Sequence, residues 1–506
     1  LENRNNHGKD GDVWSISASF KRLLHLPGIL AVLALSVHPV AASDLDDDPF
    51  SSGFLYDRFS LTLNPGERQE VLGPVYYHQR LEESETWGVP PFFSYTRDPG
   101  VELTEIDLAY PLLTLDRFGD EYRVQLLQIF SFAGGKTQDD EGKRRFTLFP
   151  FYFQQRSIRP ELNYTAVMPF YGTLQNRLFR DEIFFVLFPG YARTRKKDVV
   201  TDNFLFPVFH LRKGNELKGW QVWPVVGFER KGVTWRTNSV DEPEMVGGHR
   251  KFFALWPFFL DSKTGLGTTN EVWQQSFIPF YSITRSPERD SSTYFWPFGL
   301  TLTDDRVKKF KEVGLPWPLV VFARGEGKTV NRVWPLYSRA HNATLQSDFY
   351  LWPIYKYNRF NSPPLVRERT RILFFLYSDI SEKNTETGKA LRRIDFWPLF
   401  TARREHDGRE RLQILAPLEP LLPNNKSIER NFSPIWSVWR SEKNPKTGES
   451  SQSFLWNFYR KETGPESRQV SLLFGLIQFR EDSSRKKWRI FYIPVGKNKP
   501  ISKGPP

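Results

Sequence analysis

The chain has 506 residues, 39% hydrophobic and 16% aromatic, with 16 Trp, 44 Phe, no Cys and a formal net charge of +12. The mean hydropathy of −0.49 excludes a bundle of membrane helices, the aromatic content excludes a disordered chain, and the lack of cysteine excludes disulfides, thiolate metal sites and cysteine nucleophiles. The basic balance points to anionic lipid headgroups or acidic polysaccharide as partners; nucleic acid is not expected for an exported chain.

In chain order, Lys21 and Arg22 come first, followed by LLHLPGILAVLALSV and then HPVAAS. A basic segment, an apolar core and small residues predict a signal peptide with an N-terminal extension over 1–43, cleaved near Ala42 or Ser43. His25 and Pro27 interrupt the apolar run, which is short for a membrane span. The expected destination is the outer membrane, with the periplasm or cell surface as the alternative.

Residues 44–506 form one expected β-repeat domain. Proline-centred apolar runs recur about every 20 residues. Five define the repeat best: FALWPFFLD around Pro257, YFWPFGLTL around Pro297, RVWPLYSRA around Pro335, FYLWPIYKY around Pro353 and DFWPLFTAR around Pro398. Similar runs lack the proline, among them LLQIFSF (126–132) and ILFFLYS (372–378). Polar stretches such as TRDPG, RKGNE and HDGRE separate the runs and supply turn residues. With each run counted as one strand, this predicts an all-β antiparallel meander of roughly 20–24 strands. One short helix is predicted over 304–313, where Val307, Phe310 and Val313 share a face and Gly314 follows. The interval between Pro224 and Pro257 calls for a long loop or a strand without the motif.

Counting from each proline as zero, position +2 is aromatic, as at Tyr337, Tyr355 and Phe400. Position +6 is arginine at Arg97, Arg117, Arg156, Arg195, Arg285, Arg324, Arg359, Arg404 and Arg440. Even positions share one face of a strand. A proline at mid-membrane would then place each arginine at a headgroup layer, and antiparallel neighbours would alternate between two rims. These arginines are the candidate lipid- or polyanion-contacting residues. The odd face, with Ser, Thr, Lys or His at +3, would line a lumen.

Over residues 70–496 these runs resemble envelope proteins of Gram-negative bacteria with W-P-[FL]-[FY] strand repeats, a group without known activity. YPLL and MPFYG are locally similar to the strands of lipopolysaccharide-export barrels, the LPS-assembly protein family, whose cysteines are missing here. The resemblance implies a barrel in contact with outer-membrane lipid or lipopolysaccharide.

No catalytic, cofactor-binding or metal-binding residues are predicted. The histidines fall in no ligand spacing, GGKT at 134–137 lacks the earlier glycine of a phosphate-binding loop, and G-x-S-x-G is missing. Three readings follow. The first is an outer-membrane β-barrel with a transport or envelope-structural role. The second is an exported soluble β-solenoid or propeller-like array that binds polysaccharide on exposed aromatics. The third is a carbohydrate-active enzyme. The oligomeric state is left open.

Overall fold

The computed structural model describes residues 53–136, 143–237, 242–483 and 485–495. The signal-peptide segment lies outside them. The described chain is one antiparallel sheet of 43 strands in which each strand pairs with the next in sequence. Strands are mostly five to eight residues long. The first, Tyr56–Ser60, pairs only with Gly66–Val71, and the last, Ile493–Val495, only with Arg485–Ile490. No ladder joins the two ends among the described residues, so the sheet is not closed as a barrel.

The strand number is twice the expected 20–24 because the proline-centred run is not one strand. Leu345–Tyr350 ends before Leu351-Trp352-Pro353-Ile354, and Tyr355–Ser362 begins after it. Pro257, Pro297, Pro335 and Pro398 occupy the same place, and all five follow a cis Trp–Pro bond, the geometry of a type VI turn. Proline has no N–H to give a ladder. In the turn none is needed: the Ile354 N–H donates to the Leu351 carbonyl at 2.7 Å. The proline-free runs turn differently. Leu373 and Phe374 have φ of 47° and 60°, and Leu473 and Phe474 have 51° and 57°. Two successive positive φ values reverse the chain in a four-residue loop, where the Leu376 N–H donates to the Leu373 carbonyl at 3.1 Å.

Two other expectations are corrected. Residues 304–313 are a hairpin between Leu300–Asp305 and Phe310–Gly314. The Lys308 N–H donates to Asp305 Oδ1 at 2.8 Å, so the aspartate closes a turn where a helix was expected. Between Pro224 and Pro257 lies a side hairpin, Thr234–Thr237 with Pro243–Val246, which pairs with itself. The flanking strands Val226–Lys231 and Gly248–Ala254 pair directly beneath it.

The odd face packs as the inner face. Along one rung Phe153, Ala166, Gly172, Phe185 and Ala192 lie opposite one another on successive strands. They form a buried cluster with Tyr164 and Leu174. Small residues separate the two rings because adjacent strands leave room for one ring at a time. A Cβ on Gly172 would lie 2.2 Å from the Ala166 Cα. A second cluster holds Phe310, Val321, Ala323 and Val330. Elsewhere this face is polar, with Ser94, Asp107, Ser276, Ser338 and Asp395 all buried.

The two ends of the sheet face each other through side chains. Between the strands Glu410–Ile414 and Trp439–Asn444 the chain leaves the sheet and forms two short helices, α1 (Lys426–Asn431) and α2 (Ser433–Trp436). Asn425 caps α1, accepting from the Ile428 N–H at 3.1 Å. Arg430 of α1 reaches the opposite strand Leu103–Leu108, where it pairs with Glu105 and, at 3.0 Å, with Asp107. Asn431 Nδ2 also donates to Asp107, and Tyr77 donates to the Arg430 carbonyl. Nearby, Arg460 lies 3.3 Å from Asp57 and covers the Phe59 ring.

Candidate functional site

Every repeat runs strand, apolar turn, strand, polar turn. The proline-centred turns of the repeat therefore fall on one edge of the sheet and the polar turns on the other, where Pro363-Pro364 and Leu178-Phe179 are exceptions. The apolar edge carries many of the large exposed hydrophobic side chains, among them Leu187, Leu255, Trp256, Phe258, Phe295, Trp296, Leu336, Leu351 and Ile354, while Phe179, Ile158 and Val307 are exposed at the other edge. The outer-face rung next to the turns continues it. Tyr337, Tyr350, Tyr355, Ile372, Tyr377, Phe396, Phe400 and Ile414 lie opposite one another in succession, without a charge. Rings from neighbouring turns touch, as in Trp334–Trp352 at 5.9 Å and Trp352–Phe374 at 5.3 Å.

Many backbone groups at this edge are paired. The Trp352 N–H donates to the Pro335 carbonyl, the Trp256 N–H to Pro224 and the Phe206 N–H to Pro189, each at 2.7 Å. The ladder thus continues from strand to strand through the turns.

The +6 arginines are not arranged on two rims. Each sits on a strand that starts at a proline turn, so Arg97, Arg117, Arg156, Arg195, Arg285, Arg324, Arg359 and Arg404 all lie toward the polar edge. Most are engaged there. Arg156, Arg285 and Arg324 donate to carbonyls of the neighbouring strand, Tyr164, Ser291 and Val330. Arg117 donates to the Gly119 carbonyl. Arg195, Arg359 and Arg404 pair with Glu182, Glu368 and Glu410 on an adjacent strand. Arg440 departs from the set: α1 and α2 shift its register, and it points inward, 2.6 Å from Glu442.

A cavity of about 70 Å³ lies at the seam, lined by Thr62, Arg68, Glu70, Arg440, Glu442 and Arg460 among others. That is room for roughly two waters. Its arginines are paired with carboxylates. Arg68 donates to Glu70 at 2.8 Å, and Glu442 accepts from Arg440 and lies 3.2 Å from Arg411. Burial opposes the charge on Glu442, but Arg440 and Arg411 outweigh it and hold the carboxyl below its ordinary range. Burial, with Asp57 and Glu449 nearby, pushes Glu462 up despite Arg460. The cavity is a joint between the ends of the sheet and is too small for a sugar or a lipid.

The polar inner face also holds a surplus of cations that was not singled out in the sequence. Arg332, Lys356, Arg369 and Arg371 share this face on strands Thr329–Val333, Tyr355–Ser362 and Leu365–Ile372. Burial, together with Arg371, Arg332 and Arg369, lowers the Lys356 amine from its usual value. The signal in the sequence was RERTR at 367–371, whose alternate arginines fall on one face of a strand. Among the described residues no cluster of His, Asp or Glu is gathered to hold a metal ion. Comparison with known protein families and with curated proteins finds no match to this chain.

Proposed function

We propose that this is an exported envelope protein that dips its proline-turn edge into a lipid membrane, with an envelope-structural or transport role. The observation that carries this reading is the apolar edge of the proline turns, which only α1 and α2 interrupt among the described strands. Soluble proteins rarely expose an apolar patch beyond roughly 300–600 Å², and a few adjacent turns already reach that. The backbone hydrogen bonds that link neighbouring turns suit lipid, where unsatisfied N–H and C=O groups are costly.

Depth decides between spanning and dipping. From the turn tip to the first polar inner rung is one turn and two strand residues, about 10 Å at about 3.3 Å per residue. The hydrocarbon core is about 30 Å thick, whereas interfacial elements sink about 5–10 Å. The edge therefore occupies part of one leaflet, and the charged edge stays in water.

Vesicle flotation tests the reading. The wild-type protein is expected to float with phosphatidylcholine vesicles, and brominated acyl chains should quench its tryptophans. Trp256→Asp, Trp334→Asp and Trp352→Asp together should leave it in the soluble fraction. A wild-type protein that does not float, and forms edge-to-edge dimers in solution, would replace lipid with a second copy. The polysaccharide reading gains instead if soluble sugar polymer, but not lipid, protects these tryptophans from quenching.

A further inference from the structure

We propose that Arg332, Lys356, Arg369 and Arg371 bind the phosphate group of a membrane lipid headgroup, an inference that rests on the edge-dipping reading above. Lys356 and Arg371 lie directly opposite each other on paired strands, and Arg369 follows two residues along the same strand face. Arg332 stands on the same rung, reached through Ser338 and Phe349. Like charges placed directly opposite each other destabilise a sheet. Among the described residues none of the four forms an ion pair, and the carboxylate that acts on Arg369 from further off, Asp395, is already held by Arg393. The Nε atoms of Arg332, Arg369 and Arg371 are buried without an acceptor, and so is the hydroxyl of Ser378, next on the rung to Arg371.

Other cations of this face are provided for. Arg393 holds Asp395 at 2.9 Å, Arg440 holds Glu442, and Arg367 pairs with Glu382. A sheet that pairs those guanidiniums with carboxylates, yet gives none of these four cations an ion pair of its own, suits an acceptor from outside. A phosphate oxygen triad accepts from several guanidinium N–H groups at once, and charge-assisted bonds of that kind are the strong ones. The height fits as well. Lys356 lies at +3 and Arg371 is its partner, so both stand just above the apolar turns, at headgroup level when the edge is immersed to about 10 Å.

The test compares co-sedimentation with vesicles of phosphatidylcholine alone and with added phosphatidic acid, which exposes a phosphomonoester. The variant K356Q/R369Q/R371Q is set against R97Q/R117Q/R404Q, which removes the same charge from the polar edge. The wild type and the polar-edge variant should prefer phosphatidic acid at least tenfold. The inner-face variant should lose that preference and still bind phosphatidylcholine. Equal loss in both variants, or none in the inner-face variant, overturns the proposal in favour of general electrostatics. If the wild type binds neither vesicle, the edge-dipping reading fails first. Titration with inorganic pyrophosphate then decides the site: binding by the wild type and not by the inner-face variant keeps a phosphate site, and binding by neither overturns it.

Discussion

At the scale of the residue, the apolar turns place large side chains where the backbone favours glycine. Leu187, Leu255 and Leu351 have φ of 46°, 48° and 46°, a left-handed conformation that costs a side-chain-bearing residue about 1–2 kcal/mol. They are 65%, 64% and 55% exposed, so packing within the molecule does not offset the cost. Membrane contact would. Replacing all three with glycine removes the left-handed penalty and adds chain entropy of about 0.5–1 kcal/mol per site to the unfolded state. The expected result is a melting temperature within a few degrees of wild type, with vesicle partition reduced at least tenfold. A large drop in melting temperature would mean that the leucines hold the fold.

At the scale of the element, α1 is the piece that ties the two ends of the sheet. Burial opposes the charge on Arg430, but Glu105 and Asp107 outweigh it and hold the guanidinium pKa above its ordinary value. Arg430→Ala leaves two carboxylates on the opposite strand, one of them buried. Breaking a buried pair on one side costs about 3–5 kcal/mol. Hydrogen exchange should speed up in 56–81 and 426–436 and stay unchanged in the middle strands. Glu442 adds a pH dependence. Its folded pKa is lowered, so its stabilisation is complete above the unfolded value of about 4.3 and is lost as pH falls through the folded value. Glu442→Gln should therefore destabilise at pH 7, and urea unfolding should show the gap from wild type shrinking toward pH 3.

At the scale of the whole molecule, stability is spread along a ladder of neighbours. Each strand touches the next, cross-strand pairs contribute about 0.2–1 kcal/mol each, and buried apolar clusters are small and local. Such repeat arrays tolerate the loss of a whole unit. Deleting 336–353 removes two strands, Tyr337–His341 and Leu345–Tyr350, and rejoins Pro335 to Ile354. Every later turn then keeps its edge. Circular dichroism per residue should be unchanged, and vesicle binding should persist. Deleting Tyr337–His341 alone moves every later apolar turn to the opposite edge, and that variant should aggregate or fail to bind vesicles.

The all-β class, the antiparallel order and the short period were legible in the sequence, because turn residues and alternating polarity act over a few neighbouring positions. The polar odd face was legible for the same reason: Ser94, Ser338 and Thr401 at +3 alternate with aromatic residues at +2. What the proline meant was not. A repeat of about 20 residues fits one long strand with one turn or two short strands with two turns, and apolar residues flank the proline in both. The choice depends on where the backbone finds partners, and the Trp352 N–H finds its partner on the carbonyl of another proline turn, Pro335. That choice moved the +6 arginines from two rims to one edge. Only the tertiary structure brought Lys356 against Arg371 and carried Arg430 to Asp107. The first contact is set by strand register and the second spans more than three hundred residues, distances over which local periodicity carries no information.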